Sequence, residues 1–143
     1  MFVKQLSIFI ENRSGRLAAA CRSLADHNIN ILALSLADTA DFGILRMIVT
    51  DPDTGHAVLK NAGFTVVAND VLAVEVEDRP GGLARILDTL QQKRINVEYM
   101  YAFSSITTKR AALIFRFEDN EAVVQQLAEA GVNVMSRMDV LGQ

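Results

Sequence analysis

Residues 11–31 read ENRSGRLAAACRSLADHNINI, and residues 77–97 read EDRPGGLARILDTLQQKRINV. With a shift of 66 positions, eight of these 21 pairs are identical. A further match follows with a shift of 68, where residues 62–66 (AGFTV) face residues 130–134 (AGVNV). The chain therefore contains two homologous units, and the second unit has two extra residues in a loop.

Apolar residues change their spacing within each repeat. Leu6, Ile8 and Ile10 recur at every second position before the first helix, as do Leu72, Val74 and Val76 before its counterpart, and this period of two predicts a strand. The spacing then changes to steps of four and three, which predicts an amphipathic helix. The apolar stripe of the two helices consists of Leu17, Cys21 and Leu24 in one copy and Leu83, Ile86, Leu87 and Leu90 in the other.

A hairpin follows each predicted helix. Residues 30–36 and 42–50 read as two strands around a turn at Asp38 to Asp41, and residues 96–103 and 110–118 repeat this pattern. A second helix and a last strand then complete each unit.

Short polar residues and glycines mark the limits of those second helices. Asp53 and Asp119 are predicted to cap them, and Gly63 and Gly131 to end them. The last strands are predicted at residues 64–67 and 132–135. The order βαββαβ, present twice, predicts an α+β fold of two tandem ferredoxin-like modules, residues 1–68 and 69–143, each with an antiparallel sheet and helices on one face.

Composition excludes several classes of function. A net charge of −3 and a pI near 5.3 provide no positive field for nucleic acid. A single cysteine, Cys21, excludes an intramolecular disulfide and a cysteine-based zinc site, and we expect it to be a small core residue. No apolar run is long enough to span a membrane and no signal peptide is present, so the expected location is the cytoplasm.

Both copies place glycine where the first helix begins, at Gly15 and Gly81. The first N–H groups of a helix have no partner within the helix and the dipole there is positive, so a carboxylate can bind to them. Pro80 is expected at the first helical position, where a missing N–H costs nothing. The same residues are also typical of an ordinary helix cap, and Arg13 and Arg79 could either bind an anion or remain solvated.

A second polar position recurs where the next strand begins, at Asn30-Ile31 and Asn96-Val97. Packing explains a repeated polar residue at that point poorly. ENRSGRL followed by NINI, and EDRPGGL followed by INV, resemble the signature of ACT domains, the small-molecule regulatory modules of amino-acid metabolism. The resemblance covers both modules, and the first is especially similar to the serine-sensing ACT domain of phosphoglycerate dehydrogenase.

The resemblance implies a small amino-acid-like effector held at the interface of two modules, with no cofactor, metal or catalytic residue. Ile10 stands where the serine-sensing domain has a histidine and Ser14 replaces the usual proline, so serine specificity does not carry over. Because Asp78 would repel a carboxylate, Asn12 is the better carboxylate neighbour. The candidate ligand-binding residues are Asn12, Arg13, Ser14, Gly15, Arg16, Leu17, Asn30 and Ile31, with Asp78, Arg79, Gly81, Gly82, Leu83, Asn96 and Val97.

The expected partners are the effector, a second copy of the chain in a homodimer, and an enzyme of amino-acid metabolism. One alternative is a regulatory subunit, or a pure protein-interaction module, of an enzyme of amino-acid metabolism. An RNA-binding module is a second alternative because Val97, Tyr99, Tyr101 and Phe103 alternate along one predicted strand. An acylphosphatase-like enzyme is a third, since that topology is shared, but its glycine-rich loop is absent.

Overall fold

The computed structural model describes residues 2–38, 41–103 and 110–141. Its elements follow the predicted order βαββαβ twice, with one short helix added at the end. They are β1 (Val3–Glu11), α1 (Arg16–Asp26), β2 (Ile31–Asp38), β3 (Phe42–Val49), α2 (Pro52–Asn61), β4 (Thr65–Glu77), α3 (Gly82–Gln92), β5 (Val97–Phe103), β6 (Arg110–Phe117), α4 (Asn120–Glu129) and α5 (Arg137–Leu141). The predicted α+β class is confirmed.

The chain divides into two compact units, Lys4–Asn69 and Met1–Val3 with Asp70–Gln143. In the first unit the strand order is β2-β3-β1-β4, and β3 is antiparallel to both β1 and β2. In the second unit β4, β6 and β5 follow one another, and Val134 bridges to Val74 from the other side of β4. Both units therefore have the strand order of a ferredoxin-like module.

Each unit has its own hydrophobic core under its helices. Leu6, Ile8 and Ile10 are buried in the first core, and the matching Leu72, Val74 and Val76 are buried in the second. The period of two thus identified the buried face of both strands. A buried aromatic pair on β6, Phe115 and Phe117, stacks at 5.4 Å between ring centroids in the second core.

The predicted apolar stripe of the first helices is only partly correct. Leu24 and Leu90 are buried, but Leu17, Leu83 and Leu87 are 38%, 37% and 37% exposed. Cys21, expected in the core, is half-buried. The buried side of each helix lies one position away, at Ala20 with Leu24 and at Ile86 with Leu90.

Helix limits follow the turn chemistry, with one exception. The N-cap of α2 is Asp51, not Asp53, and its carboxylate accepts a hydrogen bond from the Thr54 N–H at 3.2 Å. Pro52 takes the first helical position, where it has no N–H to satisfy, which places the cap one residue before it. Asp119 caps α4 as predicted, with the Ala122 N–H donating at 3.2 Å.

Glycines end the second helices as predicted. Gly63 and Gly131 have φ of 91° and 78°, a left-handed conformation that glycine adopts without strain. In the first unit the Phe64 N–H then donates to the Leu59 carbonyl at 3.0 Å. The chain leaves both helices through the same tight turn.

Three further predictions need correction or fall outside the description. Residues 68–70 were expected to join the modules, but β4 continues through them. Residues 132–135 form an isolated bridge at Val134 instead of a full strand. The predicted turn at Asp38 to Asp41 includes residues 39 and 40, which lie outside the described residues. Among the described residues, no helix is long and apolar enough to cross a membrane.

The predicted stripe of Val97, Tyr99, Tyr101 and Phe103 is interrupted by a bulge. The register shifts between Val97 and Tyr99, so Val97 packs on the core while Tyr99 and Tyr101 pair with Arg116 and Ile114 on the other face. A matching shift lies between Ile31 and Ala33 in β2. An extra residue in a strand turns the following side chains to the opposite face.

Candidate functional site

The loops between first strand and first helix have the same backbone geometry in both units. Gly15 and Gly81 are the N-caps of α1 and α3, with φ of 89° and 87°. Glycine has no side chain to cap the helix, so no side chain accepts from the first-turn amides. The first of these amides, at Arg16 and Gly82, donates to the Arg13 and Arg79 carbonyls at 3.4 and 3.0 Å. Pro80 was expected at the first helical position but precedes the cap, since proline cannot take the left-handed φ that the cap requires.

Most of the candidate loop residues lie on the surface. Arg16 is half-buried and Gly82 is buried. The exposed candidates are Asn12, Arg13, Ser14, Gly15, Leu17, Asp78, Arg79, Gly81 and Leu83.

Arg13 and Arg79 occupy equivalent positions and make equivalent ion pairs. Arg13 Nε lies 3.1 Å from Glu11 Oε2, and Arg79 Nε lies 2.5 Å from Glu77 Oε2. All four side chains are about half exposed or more, so solvent screens both pairs and each contributes little to stability. Both guanidinium groups are positioned by a carboxylate of the preceding strand.

The two candidate asparagines lie immediately before β2 and β5. The Asn30 N–H donates to Thr50 Oγ1 at 3.0 Å, and the Asn30 carbonyl accepts from the Thr50 N–H at 3.0 Å. Asn30 and Asn96 are exposed, and the adjoining Ile31 and Val97 are half-buried. The side chain of Asn30 therefore projects from an anchored piece of backbone.

Within one unit, the loop and the asparagine are far apart. Glu11, beside the loop, pairs with Phe42, whereas Ile31, beside the asparagine, pairs with Val49. Seven residues of antiparallel strand span roughly 24 Å. The second unit repeats this, because Glu77 pairs with Arg110 and Val97 with Phe117. A single module does not bring the two halves of the predicted constellation together.

The first helical residue differs between the units. In the first unit the Arg16 guanidinium carbon lies 4.4 Å from the centre of the Phe64 ring, a cation–π contact. The corresponding residues of the second unit are Gly82 and Val132. A Cβ on Gly82 would lie 2.1 Å from the Glu77 carbonyl oxygen, so no larger residue fits there without movement of the backbone.

A cleft of about 300 Å³ opens beside Gly82 in the second unit. It is bounded by the end of β4, by α3 and by the turn after α4. Its polar lining consists of Glu75, Glu77, Arg85, Thr89 and Asn133. Glu77 recurs as Glu11, but the other four stand where the copies differ (Phe9, Ala19, Ser23 and Thr65 in the first unit). A repeated motif cannot reveal them.

A second cleft, of about 250 Å³, lies at the other end of the same unit. Asn96 lines it together with Lys93, Arg94 and the capped start of α4. Within the described residues, no group of three or more His, Cys, Asp or Glu side chains is placed to hold a metal ion.

The sequence matches the family model described as an ACT domain pair over residues 1–140. The chain belongs to the ACT domain pair family. The match spans both units, so the pair as a whole corresponds to the family. Among the curated proteins, none matches this chain.

Solved structures agree with this assignment. The ACT domain pair is similar to protein BT0572 from Bacteroides thetaiotaomicron, with 39% identity and a TM-score of 0.92 over 100% of this chain and 98% of that one. It shares its fold with the ligand-free regulatory subunit of aspartate kinase from Thermus thermophilus, at 17% identity and a TM-score of 0.65, covering 89% of this chain and 91% of that one.

A third structure places the same fold inside a longer protein. Aspartate kinase from Synechocystis matches at 18% identity with a TM-score of 0.59, over 93% of this chain but only 26% of that chain. The ACT domain pair fold thus occurs both as a separate subunit and as a part of an enzyme.

Proposed function

We propose that this ACT domain pair is a non-catalytic regulatory protein that binds an amino acid or a related small carboxylate. The observation that carries the proposal is the pair of glycine-capped helix starts, at Gly15 and Gly81, where no side chain accepts from the amides of the first turn. Amides at a helix start donate to an anion where the dipole is positive, which favours a carboxylate. A glycine cap leaves room for such a group to approach.

The loop and strand positions are proposed to act together. Asn12 and Arg13 lie in the first loop, Asp78 and Arg79 lie in the second, and an asparagine precedes the next strand in each unit. Because loop and asparagine lie at opposite ends of one module, a complete constellation needs a loop from one module and an asparagine from another. This agrees with the arrangement that the family resemblance implies, which stays a prediction.

We further propose that the bound state is read by a partner enzyme of amino-acid metabolism. The likeness to a regulatory subunit of aspartate kinase, over 91% of that subunit, supports a role as a separate regulatory chain. A homodimer is proposed as well, because β2 is an edge strand of the first unit and β5 an edge strand of the second, and such edges pair readily with a second copy. The expected location remains the cytoplasm.

Thermal unfolding of the full chain, with each of the twenty amino acids and with simple keto acids at millimolar concentration, tests this function. A ligand present at about a hundredfold above its Kd stabilises the folded state by about 2.7 kcal/mol. We expect at least one compound to raise the melting temperature, and Asn12→Ala to weaken that effect. Stabilisation by none of them would contradict the proposal and favour an interaction module that binds no ligand.

A further inference from the structure

The two units differ most clearly at the place where the cleft of the second unit opens. In the first unit, Arg16 reaches over Phe64, so a guanidinium and an aromatic ring fill the space between helix and turn. In the second unit, glycine and valine stand at those two positions. The smaller side chains leave a cleft of about 300 Å³ at the corresponding place.

Around the cleft, the second unit also has charged residues at two positions where the first unit has uncharged ones. Glu75 stands where the first unit has Phe9, and Arg85 stands where it has Ala19. Within the cleft, the Asn133 amide donates to the Glu75 carboxylate, which holds that carboxylate at the wall. Glu77 Oε2 lies 3.9 Å from an Arg85 guanidinium nitrogen. The cleft therefore presents two carboxylates and one guanidinium around a single opening.

Apolar side chains complete the lining. Val76 and Ile86 are buried in the core of the unit, and Val132 packs against that core. Polar side chains nevertheless form more of the lining than apolar ones, and about 300 Å³ is the lower end of the size range for small-molecule pockets. A compound of only a few heavy atoms fits these dimensions.

We infer that this cleft is a further ligand site, formed within one module, for the ammonium and carboxylate groups of a small amino acid. The carboxylates of Glu75 and Glu77 receive the ammonium, and the Arg85 guanidinium receives the carboxylate through charge-assisted hydrogen bonds. The inference rests on the proposed effector role and adds a second place of binding. In the first unit, the chain's own Arg16 occupies the equivalent space, so the site belongs to the second unit alone.

The site adjoins the second loop, since Gly82 lines it and Glu77 Oε2 also lies 2.5 Å from Arg79 Nε, but it lies apart from the asparagine of that unit. Asn96 lines the other cleft of the unit, beside the capped start of α4, at the far end of the strands from Glu77. Gly82 contributes a wall instead of an amide, because its N–H donates to the Arg79 carbonyl at 3.0 Å. Substitutions of Glu75 or Arg85 in the cleft can therefore be compared with substitutions of the candidate asparagines.

Calorimetric titration of the full chain tests the ligand chemistry. The probes are glycine, L-alanine, L-serine and L-threonine, with ethylamine and propionate as analogues of alanine that each lack one charged group. We expect at least one of the four zwitterions to bind saturably and both analogues to bind at least about tenfold more weakly, since each loses one charge-assisted interaction. Absence of binding by all four zwitterions, or equal binding of an analogue, would overturn the inference.

Matched substitutions test the location. Glu77→Gln and Arg85→Gln are each expected to weaken zwitterion binding about tenfold. Two exposed positions serve as controls, Asp88→Asn on α3 and Arg22→Gln on α1, and both should leave binding unchanged. Each variant is first checked for a melting temperature near that of the unsubstituted chain, and Glu75→Gln replaces any variant that fails this check. Binding that survives these changes but is lost in Asn12→Ala would refute the cleft and leave the proposed function standing.

Discussion

The Arg16 guanidinium carbon lies 4.4 Å above the centre of the Phe64 ring, and Gly82 and Val132 hold the same two positions in the second unit. The two units thus share a backbone conformation at this point, but the space that Arg16 and Phe64 fill in the first unit is open in the second. The left-handed caps at Gly15 and Gly81 agree within a few degrees. Asn28 and Arg94, each two residues beyond the end of its helix, share a φ of 57°.

The contact between Arg16 and Phe64 is expected to stabilise the first unit. Arg16→Ala should lower the free energy of unfolding by about 1 kcal/mol, because both the cation–π contact and the packing of the aliphatic stem are lost. A double-mutant cycle with Phe64→Leu, measured by urea unfolding, should give a coupling of about 0.5–1 kcal/mol. Arg22→Ala, on the exposed side of the same helix, is the control, and a zero coupling would contradict the assignment.

Two adjacent glycines should respond very differently to alanine. At Gly81 a Cβ would meet nothing within 4 Å, so Gly81→Ala should cost only the left-handed strain of about 1–2 kcal/mol. At Gly82 the Cβ would lie 2.1 Å from the Glu77 carbonyl oxygen, so Gly82→Ala should cost about 3 kcal/mol or more. Chemical denaturation of both variants checks the order, and the reverse order would show that the close approach is not real.

The displaced leucine stripe gives a third prediction. Leu24→Ala and Leu90→Ala remove fully buried side chains and should each cost about 2–5 kcal/mol. Leu17→Ala and Leu87→Ala, at 38% and 37% exposure, should cost about 1 kcal/mol or less. Equal losses at all four positions, measured by thermal unfolding, would support the stripe expected from the sequence instead of the one in the structure.

Acidification should weaken the cap of α2. Hydrogen bonds from the Thr54 hydroxyl and N–H hold the pKa of Asp51 below its ordinary value. A lowered folded pKa means that the stabilisation is present above the unfolded pKa and is lost as pH falls through the folded one. Stability of the unsubstituted chain should therefore fall more steeply than that of Asp51→Asn below about pH 4.

Urea unfolding between neutral and acid pH measures this difference. Asp53→Asn is the matched control, since it removes a charge from the same helical turn without touching the cap. Parallel pH profiles for the unsubstituted chain and Asp51→Asn would refute the role of Asp51.

The repeat made most of the fold predictable from the sequence. Alternation at Leu6, Ile8 and Ile10 identified the buried face because a strand has only two faces. The helical stripe was harder, since leucines at positions 17, 83 and 87 fit the period but lie at the rim. The period of the apolar residues shows which side of the helix they share. How far each side chain is buried depends on how the neighbouring element packs against that side.

The candidate site was predictable only where the copies agree. Gly15, Gly81, Asn30 and Asn96 recur, and the structure places them at equivalent points. Glu75 and Arg85 do not recur, and the cleft they line forms through contacts between elements distant in sequence. Sequence comparison of the two halves finds shared backbone requirements, whereas a difference in side-chain volume becomes visible only in three dimensions.

Saturation-transfer NMR on the full chain, with a pool of the twenty amino acids, tests the central claim most directly. The account predicts transfer to at least one amino acid, displacement by excess of that same compound, and recovery of the compound chemically unchanged. Transfer to none of the twenty, or conversion of a bound compound into a product, would contradict a non-catalytic amino-acid effector protein.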